Sequence, residues 1–289
     1  MNSFLLIDKP EGKGSFDCVR VLRKLSGEKR IGFIGTLDPL ASGLMTFALG
    51  EATKLIPYLE KADKVYEVTI RLGAESDTYD AQGKVTAVAC KNIPSLEMIV
   101  DLINKSFIGE REQVPPAYSA IHVDGKRAYE LARKGEKVEL KARKVIFYSI
   151  AVRSFDWPIL ELTVHCGSGT YVRSLAHDLG KALGCGGLVE VLRRTAIASF
   201  KVENALPLDR LNANNLADNA VSPLEFFKDW KSLELDDKSY AVLANGGYID
   251  NAHGFVGGPI LAVYKGICAG VLELREGKLK FARKFNIHE

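Results

Sequence analysis

An α+β fold is predicted for this chain by three observations. Residues 65–72 and 159–166 alternate apolar and polar side chains, the pattern of half-buried strands. Segments with apolar residues at helical spacing lie between such strands in irregular order, which favours α+β over a doubly wound α/β sheet. Beyond residue 230 the chain breaks into short apolar runs separated by Gly246-Gly247, Gly257-Gly258-Pro259 and Glu276-Gly277, the spacing of a small β-barrel or sandwich.

The elements follow in order. Phe16, Val19, Leu22 and Leu25 predict a helix over 15–26, with Ser15 as N-cap and Gly27 as stop. Residues 31–43 are Gly-rich, contain Pro39 and read as a loop, and 44–49 form a short apolar strand. The strand at 65–72 ends at Gly73. Pro94-Ser95 opens a helix with Leu96, Ile99, Leu102, Ile103 and Phe107 on one side. Residues 126–144 have helical propensity and are very basic. In 159–166, Leu160, Leu162, Val164 and Cys166 share a face. Gly167-Ser168-Gly169-Thr170 then leads into a helix bearing Val172, Leu175, Ala176, Leu179 and Leu183, closed by Gly184. One or two strands are expected over 188–202, and an acidic, mostly helical segment over 207–236. A domain boundary is expected near 230, dividing a larger domain (1–230) from a small one (231–289).

Composition narrows the function. The 289 residues are 47% hydrophobic and 26% charged, the balance of an ordinary globular protein with a full core. No run of eighteen apolar residues predicts a membrane span, and the N-terminal apolar run is too short for a signal peptide. The five cysteines, an odd number without CxxC spacing, argue against a disulfide framework or zinc site and fit a reducing cytoplasm. Net charge is only +3, but it is uneven. Residues 125–145 hold eight basic against three acidic side chains, 9–30 seven against three, and 209–237 three against seven. Such patches suit a polyanion bound along one side, although solvated helix faces produce the same counts.

Several motifs are discounted. Gly12-Lys13-Gly14-Ser15 lacks the frame of a phosphate-binding P-loop. Gly167-Ser168-Gly169 lacks the third glycine of a dinucleotide fingerprint and the GxSxG frame of a nucleophile elbow. The five histidines show no metal-binding spacing. No cofactor is therefore expected. The informative segment is Gly32-Phe33-Ile34-Gly35-Thr36-Leu37-Asp38-Pro39-Leu40-Ala41-Ser42-Gly43. Pro39 biases Asp38 toward extended geometry, and the flanking glycines let the backbone approach a ligand closely. An Asx turn or helix cap would explain the same Asp-Pro pair.

Residues 35–54, GTLDPLASGLMTFALGEATK, resemble the catalytic motif of the bacterial tRNA pseudouridine-55 synthase family. Further segments carry the likeness in order: Leu6-Ile7-Asp8-Lys9-Pro10-Glu11-Gly12, Lys64-Val65-Tyr66-Glu67-Val68, Asp77-Thr78-Tyr79-Asp80-Ala81-Gln82-Gly83 and Pro115-Pro116-Ala117-Tyr118-Ser119-Ala120. Gly125-Lys126-Arg127-Ala128-Tyr129, Cys166-Gly167-Ser168-Gly169-Thr170-Tyr171-Val172-Arg173-Ser174 and Leu192-Arg193-Arg194 complete it. The resemblance implies a mixed, mainly antiparallel β-sheet core flanked by helices, plus a small C-terminal β-barrel-like PUA domain. It implies isomerisation of uridine 55 in the tRNA T loop by a monomer, with neither guide RNA nor an obligate protein partner.

By the same resemblance, Asp38 is the essential carboxylate, acting on the sugar or uracil ring or assisting departure of the base. Arg173 pairs with it, and Tyr66 stacks on the turned-out uracil and is the candidate base at C5. Tyr171 and Leu192 line the base pocket, and Asp80 helps hold the base. Lys9 and Pro10 brace the catalytic loop. Lys126 and Arg127 belong to a basic RNA-binding arm at about 120–146; by their charge, the arm's basic residues and Lys278, Lys280, Arg283 and Lys284 near the C-terminus are candidates for phosphate contact. An RNA chaperone of the same fold, a guide-dependent synthase and an N-glycosylase are the rival readings. Two positions depart from the family's pattern: Phe33 replaces a histidine, and His122 stands where lysine is common. Phe33 can stack but cannot hydrogen-bond through its ring, so turnover is expected to survive with altered stem-loop selectivity, and Phe33→His to change RNA affinity modestly. Paired binding and turnover assays on a T-arm transcript check this, and abolition of turnover attributable to Phe33 in the native chain would refute it.

Overall fold

The computed structural model describes residues 1–119, 121–123, 125–133 and 140–287. The chain enters as β1 (Ser3–Lys9), passes through α1 (Ser15–Ser26) and returns as β2 (Ile31–Ile34) and β3 (Ser42–Leu49). A 3-10 segment, Gly50–Tyr58, leads to β4 (Lys64–Leu72) and the ribbon of β5 (Ala74–Ser76) and β6 (Val85–Ala87). Next come α2 (Leu96–Ser106), β7 (Gly109–Gln113), the ribbon of β8 (His122–Val123) and β9 (Lys126–Arg127), and α3 (Ala128–Arg133). The long β10 (Arg143–Asp156) turns back into β11 (Ile159–Cys166), followed by α4 (Val172–Ala182), β12 (Gly187–Ile197), β13 (Phe200–Lys201) and β14 (Leu206–Pro207). After α5 (Pro223–Phe226), the chain forms β15 (Ser232–Leu235), α6 (Asp237–Ala244), β16 (Ile249–Asp250), β17 (Ile260–Tyr264), β18 (Ile267–Arg275) and β19 (Lys278–Lys284).

The result is the α+β architecture the pattern predicts. The main path of the large sheet runs β14-β1-β3-β12-β4-β11-β10-β7, with β2 added on β3 and β13 on β12. Its pairings are antiparallel except β1 with β14 and β3 with β12. A second sheet, in the order β15-β17-β18-β19-β16, occupies the C-terminal part. Strict alternation in β4 turns Lys64, Tyr66, Val68, Ile70 and Leu72 to one buried face. In β11 the buried set is Leu160, Leu162, Val164 and Cys166, as its sequence pattern requires. These rows join Val172, Leu175 and Leu179 of α4 in one apolar core. A separate cluster joins Phe4 and Leu55 to Phe226, Val271 and Phe285, so apolar packing links the two sheets.

Four expectations are corrected. The N-cap of α1 is Gly14, with its backbone N–H bound to the Asp17 carboxylate at 2.7 Å; Ser15 lies inside the helix and uses its hydroxyl elsewhere. Residues 31–34 are a strand, because Ile31–Ile34 pairs along β3, and only the following residues form the loop. The segment 126–144 is not one helix: β9, the short α3 and the start of β10 share it, and β10 pairs with both β7 and β11. Cross-strand pairing outweighs local helical propensity there. Helix is also sparse over 207–236. Asn212 and Asn215 side chains bind nearby backbone groups, offering turns instead of a helical ladder, and 232–235 is strand.

Gly43 fixes how closely β3 approaches β12. Its φ is +107°, and a Cβ placed there would lie 2.2 Å from the Arg194 carbonyl oxygen. Gly43→Ala is expected to force the strands apart and lower unfolding stability by ~2 kcal/mol or more. Urea denaturation checks this; an unchanged midpoint would show that the contact can relax freely.

Candidate active site

The loop after β2 is held at several points along its backbone. Ser15 accepts a hydrogen bond from the Leu37 N–H and donates to the Leu37 carbonyl, both at 2.9 Å. Gly12 N–H donates to the Pro39 carbonyl at 2.8 Å, and Ala41 N–H to the Asp38 carbonyl at 3.1 Å. Leu37 and Leu40 are buried on either side of Asp38. Lys9, wholly buried, donates to the carbonyls of Pro10 and Lys13 at 2.9 and 2.6 Å, bracing the neighbouring turn. Asp38 is thus a 39% exposed side chain on a backbone with little freedom.

Arg173 faces it from the first turn of α4 and is only 5% exposed. Its Nε lies 2.9 Å from Asp38 Oδ2, but no hydrogen bond is aligned on Nε, so the contact is a charge pairing. Nη1 donates to the Thr78 carbonyl at 2.9 Å and lies 3.4 Å from Asp80 Oδ2. Nη2 donates to the Tyr118 carbonyl at 2.9 Å. The other Asp80 oxygen accepts from Thr78 Oγ1 at 2.6 Å and Gln82 N–H at 3.0 Å. One guanidinium therefore ties together two carboxylates and two loop carbonyls.

A cavity of about 260 Å³ opens beside Asp38, with Tyr66, Tyr171, Arg173 and Leu192 in its lining. A second cavity of about 640 Å³ shares Asp38 and Arg173 and includes Asp80, Tyr118 and Phe16. Burial raises the Tyr66 phenol above its usual value, against the opposing influence of nearby Arg194. Tyr171 is set by Gln113, whose amide accepts from the Tyr171 N–H at 2.8 Å and donates to its carbonyl at 3.0 Å. The Arg143 guanidinium lies 4.7 Å from the centre of the Tyr171 ring.

The structure thus gathers Asp38, Tyr66, Asp80, Tyr171, Arg173 and Leu192 around two adjoining cavities. Phe33 is not brought to either lining. It packs on Phe47 and meets Phe16 edge-on at 5.4 Å, and Phe16 is the ring that reaches the larger cavity. The side chains of Lys126 and Arg127 lie outside the described residues. Sequence reasoning missed Gln113, for which no local signal exists. It also assigned no role to Lys64 or Arg194, although both sit inside quoted motifs. It missed the support behind Asp80 as well: Tyr79, at φ +63°, stacks on His177 of α4 with ring centres 4.0 Å apart.

Residues 23–172 match the family described as "TruB family pseudouridylate synthase (N terminal domain)". The chain belongs to the TruB family. Residues 173–226 match the "tRNA pseudouridylate synthase B C-terminal domain". Among similar proteins, the "tRNA pseudouridine synthase B" of Clostridium acetobutylicum is 40% identical over 85% of this chain and 84% of its own. The Geobacter sulfurreducens protein of the same name is 43% identical over 77% and 74%. A TruB-family chain is a pseudouridine synthase, an isomerase. In fold it also resembles a solved "H/ACA RNP bound to a substrate RNA containing 2'-deoxyuridine", with a TM-score of 0.70, 21% identity and coverage of 99% and 85%. A "Cbf5-Nop10-Gar1 Complex" gives 0.68 at 22% identity, covering 99% and 84%.

Within this TruB-family site, Arg173→Met would leave Asp80 a buried carboxylate without its cation. A loss of ~3 kcal/mol in unfolding free energy is expected. Adding Asp80→Asn is expected to recover part of it. A double-mutant cycle by urea denaturation checks the coupling, and strictly additive losses would exclude it.

Proposed function

We propose that this chain isomerises uridine 55 of the tRNA T loop to pseudouridine as a single chain, without a guide RNA. Asp38 is the reacting carboxylate in this reading. The observation that carries it is the 2.9 Å pairing of the half-exposed Asp38 with buried Arg173 at the mouth of a cavity lined by Tyr66 and Leu192. The pairing holds the carboxylate beside the cavity, where it can act on a nucleoside. Relatives named "tRNA pseudouridine synthase B" at about 40% identity support tRNA as substrate.

The reaction breaks an N–C glycosidic bond, turns the uracil and forms a C–C bond, with no net oxidation. A target base stacked in a loop must first be extruded, at a cost of roughly a few kcal/mol. Stacking on Tyr66, apolar contact with Leu192 and phosphate contacts offset that cost. Lys126 and Arg127 on the basic arm, with Lys278, Lys280 and Arg283 of β19, are the proposed phosphate contacts. Asp38 acts at the sugar or the ring, Tyr66 removes the C5 proton, and Asp80 holds Arg173 in place. Division into a catalytic unit (1–230) and a small RNA-binding unit (231–289) belongs to the same proposal.

Asp38→Asn keeps the side-chain shape and removes the charge. Tritium release from a T-arm transcript labelled at uridine C5 is expected to fall by at least ~10⁴-fold, while transcript binding persists. Wild type releasing no tritium, yet binding the transcript, would establish an RNA-binding protein without turnover. Free uracil among the products would establish an N-glycosylase instead.

A further inference from the structure

The floor of the 260 Å³ cavity contains a charge arrangement that the Asp38–Arg173 pair does not explain. Arg194 is completely buried, and Lys64 is only 6% exposed. Both line the cavity, yet among the described residues neither is bonded to a carboxylate. Lys64 donates to the Ala62 carbonyl. Arg194 Nε donates to the Leu44 carbonyl at 2.8 Å, and Nη2 to the Gly35 carbonyl at 2.9 Å. Its third nitrogen, Nη1, is buried and has no hydrogen-bond acceptor.

Two features show that this cluster is built. Arg194 is the direct cross-strand partner of Tyr66 on β12 and β4, and Lys64 lies on the same buried face of β4 as Tyr66. Gly35, at φ +65°, closes the cluster from the catalytic loop. A Cβ there would come within 3.1 Å of Arg194 Nη1 and 3.2 Å of Lys64 Cε. A buried guanidinium with an idle donor beside a second cation is costly unless an anion completes it. Burial, with Arg194 adding to it, pulls the Lys64 ammonium down to about 8. The groups facing Tyr66 are Arg194, Cys166 and Asp38, and those facing Lys64 are Arg194, Cys166 and Asp63. Cys166 is held as the neutral thiol, its pKa pushed up to about 11 by burial. Asp63 is engaged by His165, and Asp38 by Arg173.

We propose that Arg194 is a positioning residue for Tyr66, its free Nη1 hydrogen-bonding and stabilising the phenolate that accepts the C5 proton. This rests on the reading of Tyr66 as the base. Once the ribose has moved from N1 to C5, C5 still carries its hydrogen and the ring holds a C6–N1 double bond. Proton transfer breaks C5–H, and that electron pair becomes the C5–C6 π bond. The former C6–N1 π pair settles on N1, which takes a proton from solvent, and the C5 proton resides on Tyr66 Oη. Tyr66 then returns its proton to solvent, so atoms and charge balance. Burial alone disfavours the phenolate, and the adjacent guanidinium opposes that penalty. Lys64 adds positive potential behind Arg194, and the Gly35 carbonyl ties Arg194 to the loop bearing Asp38.

The test is the pH dependence of single-turnover tritium release, with T-arm transcript affinity and thermal unfolding measured alongside. Removing the cation raises the phenol pKa, so less of Tyr66 is ionised at any given pH. Arg194→Gln is expected to move the rising limb upward by about one pH unit and lower neutral-pH turnover about tenfold, with affinity unchanged. Arg194→Lys is expected to return the limb toward its wild-type position. Because Arg194 is wholly buried, a measurement on the unsubstituted protein is included. With tyrosines labelled at Cζ with ¹³C, arginine side chains labelled with ¹⁵N, Tyr66 assigned from Tyr66→Phe and Arg194 from Arg194→Lys, the Arg194 Nη resonances of the unsubstituted protein are expected to shift with the ionisation of Tyr66. A uniform rate loss at every pH for Arg194→Gln, or Arg194 resonances that do not respond to the ionisation of Tyr66, would overturn the proposal. Wild-type tritium release by Tyr66→Phe would instead remove the reading of Tyr66 as base.

Discussion

The site depends on burying one guanidinium. Arg173 begins α4, where the helix dipole disfavours a cation, and it is almost wholly removed from water. Such a group is tolerable only with its donors occupied and its charge opposed. The partners come from separate stretches of chain: Asp38 from the loop after β2, Thr78 and Asp80 from the turn between β5 and β6, and the Tyr118 carbonyl from the segment before β8. The same interaction that places a carboxylate at the cavity mouth therefore locks three loops to one helix. Tyr79 stacked on His177, one turn further along α4, adds an apolar fastening to the same assembly.

The sheet contributes by bringing strand ends together. β12 runs parallel to β3 and antiparallel to β4, so Arg194 lies beside Gly43 on one side and Tyr66 on the other. That crossing places the Asp38 loop, Tyr66 and Arg194 around one cavity. The two ends of the cavity differ in charge: an acid paired with a guanidinium at the mouth, and a guanidinium and an ammonium without a carboxylate at the floor.

Much of this was legible along the chain. The strands at β4 and β11, the helices α1, α2 and α4, and the barrel-like texture after residue 230 follow from periodicity and glycine placement. Asp38, Tyr66 and Arg173 were legible through motifs resembling a known family, since their spacing alone would equally fit an Asx turn, a packed strand aromatic and a surface cation. The basic stretch 126–144 was misread because its charges and helix formers conceal the strand that β7 and β11 impose on β10. The turns near Asn212 and Asn215 were missed because side-chain competition for backbone groups weakens a helix without changing its composition.

The sequence by itself determined the alternation that sends Tyr66 and Lys64 to the same side of a strand, the proline and glycines that stiffen the Asp38 loop, and the family. Tertiary structure decided which of these residues meet. Gln113 came to hold Tyr171 across 58 positions, Ser15 came to hold Leu37 across 22, and Arg194 came to lie opposite Tyr66. The physical reason is that pairing register, strand order and close backbone approach are properties of the assembled sheet. Local patterning records which face a side chain takes, whereas the identity of its neighbour depends on strands far away in the chain.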